Sequence, residues 1–216
     1  MIRNLKTLGV ALCAVLALSV VAASAASAAN YTASSYPAIG TGTSAVGNDV
    51  FKTEAGNVEC KSHFTGTLAA ASSTLTVTPT YTECKAFGFL NATVTMGTCD
   101  YQFQAPTLVS ADNYTAAVKV VCGATPITIT AGTCKATVGA QSPAGNVAIT
   151  DETAAGDVKV KANVTGINYT VTEDGFACPF GGTGAKTGAT YTQASSITFD
   201  AVNSKGEPTA QTIDVG

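Results

Sequence analysis

Between Thr74 and Thr80 every second residue is threonine, while Leu75, Val77, Pro79 and Tyr81 fill the alternate positions. Successive side chains of an extended strand point to opposite faces, so this alternation turns one set toward a core and leaves a row of hydroxyls in water. The same period returns in Val158, Val160, Ala162 and Val164, interleaved with Lys159, Lys161, Asn163 and Thr165. Gly166 then bends the chain into Ile167, Tyr169 and Val171. About a sixth of the 216 residues are threonine, and Trp is absent. Branching at Cβ costs rotamer freedom in a helix and packs well on a pleated surface, so the composition agrees with the pattern.

Turn signals separate the runs, at Ala55-Gly56-Asn57, Pro143-Ala144-Gly145-Asn146, Glu173-Asp174-Gly175 and Asn203-Ser204-Lys205-Gly206. Short strands at intervals of about ten residues predict an all-β fold, an antiparallel β-sandwich with Greek-key connections, Ig-like or related. One internal echo stands out: Thr93-Val94-Thr95-Met96-Gly97-Thr98-Cys99 matches Thr128-Ile129-Thr130-Ala131-Gly132-Thr133-Cys134. In each copy the apolar phase slips at the glycine, which a bulge or a tight turn there would produce.

The first residues give an address. Arg3 and Lys6 precede an apolar stretch from Leu8 to about Ala23, followed by small residues that include Ala26-Ser27-Ala28. That order predicts a signal peptide over residues 1–29, cleaved after Ala28 or Ala29 and taking Cys13 with it. Residues 30–48 are Ser, Thr, Ala and Gly with little periodicity and read as a flexible leader. Residues 49–216 read as one disulfide-stapled all-β domain. No later apolar stretch has spanning length. The expectation is a secreted, extracellular protein that holds no membrane contact after cleavage. Without Arg3 and Lys6, nine basic residues face fourteen acidic ones, a net charge of −5 that argues against nucleic acid as a partner.

Six cysteines remain after processing: Cys60, Cys84, Cys99, Cys122, Cys134 and Cys178. An even number in an exported chain predicts disulfides, although spacing alone leaves fifteen pairings open. One pair has a geometric argument, because Cys99–Phe103 and Ala117–Cys122 would form a hairpin with Cys99 opposite Cys122. Sequential pairing then joins Cys60 to Cys84 and Cys134 to Cys178. No Cys-x-x-Cys pair favours zinc or redox chemistry.

Other candidates are weaker. His63, the only histidine, lacks a nucleophile elbow and reads as a polar strand-end residue. Gly181-Gly182-Thr183-Gly184-Ala185-Lys186-Thr187 departs from a P-loop, with Ala185 and Phe180 where glycines are required, and reads as a flexible loop. Glu54 with Glu59, or Glu173 with Asp174, are local carboxylate pairs for a glycosidase-like hydrolase. Asp151, Glu152 and Asp157 lack EF-hand spacing and read as a solvated turn. Asn-x-Thr sequons at Asn30, Asn91, Asn113, Asn163 and Asn168 arise easily in Thr-rich sequence.

The leader containing Lys6-Thr7-Leu8-Gly9 and ending Ala-Ser-Ala-Ala, the run Phe51-Lys52-Thr53-Glu54-Ala55-Gly56-Asn57-Val58-Glu59-Cys60, Thr76 to Tyr81 through Cys84-Lys85-Ala86-Phe87-Gly88, and Gly175-Phe176-Ala177-Cys178-Pro179 together resemble a paralogous family of secreted bacterial β-rich proteins of unknown function. The resemblance implies export and a β-rich fold, and it carries no catalytic residues to transfer.

The expected role is therefore an extracellular binding or cell-surface-associated structural protein without catalytic, cofactor-binding or metal residues. Its expected partner is an extracellular ligand such as a glycan or cell-surface polymer, met through loops and one Thr-lined sheet face. A hydrolase would instead bring two carboxylates from distant segments into a cleft lined by Tyr or Phe. A protease-inhibitor-like module would instead show a rigid protruding loop over Cys178–Gly188.

Overall fold

The computed structural model describes residues 29–152 and 154–216, so the expected signal peptide falls almost wholly outside the described residues. Among those described there is no helix. The strands follow as β1 (Tyr31–Ala33), β2 (Ala38–Thr43), β3 (Asp49–Lys52), β4 (Asn57–Leu68), β5 (Leu75–Ala86), β6 (Leu90–Thr95), β7 (Cys99–Phe103) and β8 (Thr107–Ser110). Then come β9 (Asn113–Cys122), β10 (Ile127–Ala131), β11 (Cys134–Val138), β12 (Ala144–Glu152), β13 (Asp157–Glu173), β14 (Gly184–Gln193), β15 (Ile197–Val202) and β16 (Ile213–Val215). Every pairing is antiparallel.

Fourteen strands form one sheet, organised by the long strands β4, β5 and β13. Each long strand is bordered, along one edge or both, by two short neighbours placed end to end. Along one edge of β4, Asn57–Cys60 pairs with β3 and His63–Leu68 pairs with β2. Similarly, β5 meets β7 at Leu75–Val77 and β6 at Lys85–Ala86. β13 meets β12 and β11 along one edge, and β15 and β14 along the other.

Two hydrogen-bonded circuits result. One runs β4–β5–β6–β10–β11–β13–β14–β3 and returns to β4; the other runs β4–β5–β7–β9–β12–β13–β15–β2 and returns to β4. The all-β antiparallel class read from the alternation is present, with the strands closed into one sheet around one shared core. Closure of this kind leaves few unpaired strand edges.

The alternation holds residue by residue. Val77 and Pro79 are buried, with Thr74, Thr76, Thr78 and Thr80 exposed. In β13, Val158, Val160, Ala162 and Val164 are buried, and the register shifts at Gly166 before Ile167, Tyr169 and Val171 resume the inward phase. Gly97 and Gly132, at φ 62° and 59°, occupy the tight turns β6–β7 and β10–β11. The echoing strands β6 and β10 are themselves partners, pairing Thr95 with Thr128, Val94 with Ile129 and Thr93 with Thr130.

Both ends are covered. At one, the β1–β16 ribbon lays Tyr31 and Val215 over the core, and Asn30 and Gly216 exchange backbone hydrogen bonds. At the other, the β13–β14 connection turns Pro179 and Phe180 inward, where Thr53 Oγ1 donates to the Pro179 carbonyl and Tyr169 Oη to that of Phe180.

The leader assigned to residues 30–48 is corrected by this arrangement, because β1 and β2 lie within it and β2 is hydrogen-bonded on both edges, to β4 and β15. The cause is the glycines of Ala38-Ile39-Gly40-Thr41-Gly42-Thr43. A Cβ at Gly40 would lie 2.7 Å from Ile213 Cδ1, and one at Gly42 would lie 2.8 Å from Ile197 Cγ2. The inward positions are occupied by absent side chains, which leaves no apolar period to read.

Two of the expected disulfides are formed, Cys60–Cys84 between β4 and β5 and Cys99–Cys122 between β7 and β9, with Cys99 directly opposite Cys122 in the register. The third expected pair differs: Cys134 and Cys178 are unlinked thiols lying beside each other. Cys134 is on β11, but Cys178 sits in the β13–β14 connection, where no ladder register sets it opposite Cys134. Burial and the neighbouring Cys178 push the Cys134 thiol up to about 11.

Replacing Cys60 and Cys84 together by Ala is expected to lower stability by about 3 kcal/mol, from the chain entropy of the loop they close. Urea unfolding checks this, and an unchanged midpoint would contradict it.

Candidate functional site

Strand phase delivers an unusual set of side chains to the middle of the core. The inward positions of β4 are Val58, Cys60, Ser62, Phe64 and Leu68, and Ser62 is as buried as its apolar neighbours. β3 brings in Asp49, 2% exposed, and β14 brings Tyr191 and Gln193. β5 contributes Tyr81 and β7 contributes Tyr101.

These groups bond one another. Asp49 Oδ1 accepts from Tyr191 Oη and, at 3.2 Å, from Gln193 Nε2; Oδ2 accepts from Ser62 Oγ at 2.7 Å. Tyr81 Oη lies 2.9 Å from Tyr101 Oη and 3.2 Å from Tyr191 Oη, extending the chain of hydroxyls across the interior. Gln193 Oε1 accepts from the Ala162 backbone N–H at 2.8 Å, which ties the cluster to β13. Ser44 Oγ accepts from the Ser62 N–H at 2.7 Å.

Asp49, Tyr81, Tyr101, Tyr191 and Gln193 border a cavity of about 90 Å³ whose remaining walls are almost wholly apolar, including Phe51, Phe64, Val94, Val120 and Ile129. A second cavity of about 40 Å³ lies toward the β1–β16 ribbon, and Phe103, Val160 and Phe199 border both spaces. Burial raises the Tyr81 and Tyr191 hydroxyls well above the usual tyrosine value, with Asp49 reinforcing the effect at Tyr191; Tyr101 is pushed up to about 12 for the same first reason. A dry site holds phenols neutral, as hydrogen-bonding groups.

The residues singled out in the sequence lie elsewhere. His63 points outward in mid-strand, with Nδ1 2.9 Å from Thr43 Oγ1 and Nε2 3.4 Å from Thr65 Oγ1. Glu54 is exposed in the β3–β4 turn, Glu59 accepts from Asn57, exposed Glu173 pairs with half-buried Lys135, and Asp174 faces the Thr183 N–H. The hydrolase pairs are therefore not brought together in a cleft, and the main cavity receives one carboxylate, Asp49.

Asp151, Glu152 and Asp157 do not share a solvated turn. Asp151 is buried under the β1–β16 ribbon, where Oδ2 accepts from the Val215 N–H and Oδ1 has no partner. Burial raises its carboxyl above the ordinary value, partly opposed by that N–H. Glu152 pairs with Lys159, and Asp157 lies against Asp200. Among the described residues no cluster of three His, Cys, Asp or Glu has metal-binding geometry.

The loop expected over Cys178–Gly188 does not protrude. Pro179 and Phe180 turn inward, and Gly184 onward belongs to β14; Gly182 to Ala185 are exposed, as is Phe176, just before. On the outer wall, Thr41, Thr65 and Thr78 lie opposite one another across β2, β4 and β5, and Thr78 Oγ1 donates to Asp100 Oδ1 at 2.7 Å.

The interior cluster was the part missed in the sequence. The available signal was a polar residue in an apolar phase: Ser62 between Cys60 and Phe64, or Gln193 two residues after Tyr191. No family model, no curated protein and no solved structure matches this chain.

Tyr191→Phe removes one of three donors to Asp49 and one partner of Tyr81. It is expected to cost about 2 kcal/mol, as for a hydrogen bond to a buried carboxylate. Urea unfolding reads the change, and a loss below about 0.5 kcal/mol would show that the contact is dispensable.

Proposed function

We propose that this chain is an extracellular binding protein that holds a small ligand inside its closed sheet, without catalysing a reaction on it. The carrying observation is the belt of hydrogen-bonding groups from Asp49 to Tyr101 bordering an otherwise apolar cavity. Small-molecule sites combine apolar walls with a few convergent polar groups in this way. Core stability alone would be served as well by apolar residues, since buried polar networks add little net stability over well-packed hydrophobic ones.

Two formed disulfides support an oxidising, extracellular setting, and among the described residues no helix is long and apolar enough to cross a membrane. Recognition of a glycan or cell-surface polymer through the outer threonine rows has less support. Some of those hydroxyls are already engaged by His63 and Asp100, and neither cavity is bordered by an outward-facing threonine. A purely structural role at the cell surface would use the closed wall but leaves the buried Asp49 cluster without a purpose.

The test is a thermal-shift panel of charged and uncharged compounds of up to about five heavy atoms, below the six of the benzene that a larger cavity of roughly 150 Å³ takes. At least one compound is expected to raise the Tm of the native protein saturably and to bind at least about tenfold more weakly to Val94→Phe, which fills the cavity from β6. A panel without any saturable binder would contradict the reading.

A further inference from the structure

Among the described residues the main cavity is bordered by one carboxylate, Asp49, and by no side chain of opposite charge. Among the described residues no Lys, Arg or His borders either cavity, and the ion pairs, Lys61–Glu83, Lys135–Glu173 and Lys159–Glu152, use none of the cavity residues. Asp49 is met only by the neutral donors Tyr191, Gln193 and Ser62, and Oδ2 accepts from Ser62 alone, which leaves it acceptor capacity. A charge withdrawn from water this completely is ordinarily paired with an opposite charge.

The surroundings specify what kind of counter-charge fits. Phe51, Phe64, Tyr81, Tyr101 and Tyr191 border the same space as Asp49. Their rings meet at large angles, with Phe64–Tyr81 at 81°, Tyr81–Tyr191 at 77° and Tyr101–Tyr191 at 53°. Aromatic rings grouped in this way attract alkylated ammonium groups through their negative faces, while their carbon satisfies the methyl groups. A bare metal ion is a poor fit, because it needs several oxygen or nitrogen ligands and the walls are carbon.

We propose that the cavity takes a small organic cation of the alkylammonium class, with its charge against Asp49 and its methyl groups against the aromatic and valine walls. This rests on the reading of the interior as a ligand site and adds the charge of the ligand. The space of about 90 Å³ is smaller than the roughly 150 Å³ cavity that accepts benzene, which points to a ligand of fewer than six heavy atoms.

Tetramethylammonium and tert-butanol have that size and differ in charge, and they are the probes. Each is titrated into the intact protein at constant ionic strength, with sodium chloride as the salt control, and followed by NMR. Tetramethylammonium is expected to bind saturably, at least about tenfold more tightly than tert-butanol, and to give contacts from its methyl protons to the Tyr191 and Phe51 rings. Asp49→Asn is expected to abolish that preference. If the variant does not fold, the charge comparison and the ring contacts in the native protein still decide. No saturable tetramethylammonium binding, contacts only to exposed residues, or binding of tert-butanol as tight as that of the cation would overturn the proposal. Tight tert-butanol binding would overturn the charge assignment and leave the ligand site standing, whereas failure of both probes and of the wider panel would remove both.

Discussion

The closed hydrogen-bonded wall is the constraint on which everything else depends. β4, β5 and β13 run the length of the molecule, and each is bordered by short strands set end to end, so the two circuits share a single interior. An open sheet would let the inward face of its central strands reach water at the edges. Here the ribbon β1–β16 and the inward turn of Pro179 and Phe180 cover the remaining openings. A polar residue on an inward phase is therefore committed to the interior, where it must find its partners among other side chains. Asp49, Ser62, Gln193 and the three tyrosines do so.

The disulfides fit the same geometry. Cys60–Cys84 joins two of the long strands next to the bulge that shifts their register between Glu59 and Lys61, and Glu83 adopts a left-handed conformation beside it. Cys99–Cys122 holds β7 to β9 across an intervening excursion through β8. Both limit sliding between neighbours in a chain whose outer faces, rich in threonine, offer little to distinguish one register from the next. The network at Asp49 fastens β3, β4 and β14 from within, so the site and the wall around it are mutually dependent.

How much of this was legible from sequence follows from which side chains carry the pattern. In β5 and β13 large apolar residues occupy the inward phase, and their strands, faces and the bend at Gly166 could be read directly. The opposition of Cys99 and Cys122 was legible because both flank clean alternating runs. β2 was not, since glycines fill inward positions where close approach to Ile213 and Ile197 leaves no space for a side chain, and β1, three residues long, is too short to show a period. The cluster was hidden for another reason. Asp49, Ser62 and Gln193 look like surface residues by type, Asp49 and Gln193 come from strands far apart in sequence, and only closure of the sheet reveals that all three point into one space. Placement of Cys178 in a connection, instead of on a ladder, also lay beyond what periodicity can show.

The central claim is that the tyrosine hydroxyls and Asp49 form a dry, enclosed network at the heart of the sheet. The most direct measurement is a pH titration of the native protein labelled at tyrosine Cζ, followed by carbon NMR while the fold is monitored by amide signals. The account predicts that Tyr81, Tyr101 and Tyr191 stay predominantly neutral at pH 11, above the ordinary tyrosine value of 10.0. Ionisation of all three near pH 10 with the sheet intact would show that water reaches the interior, and would contradict it.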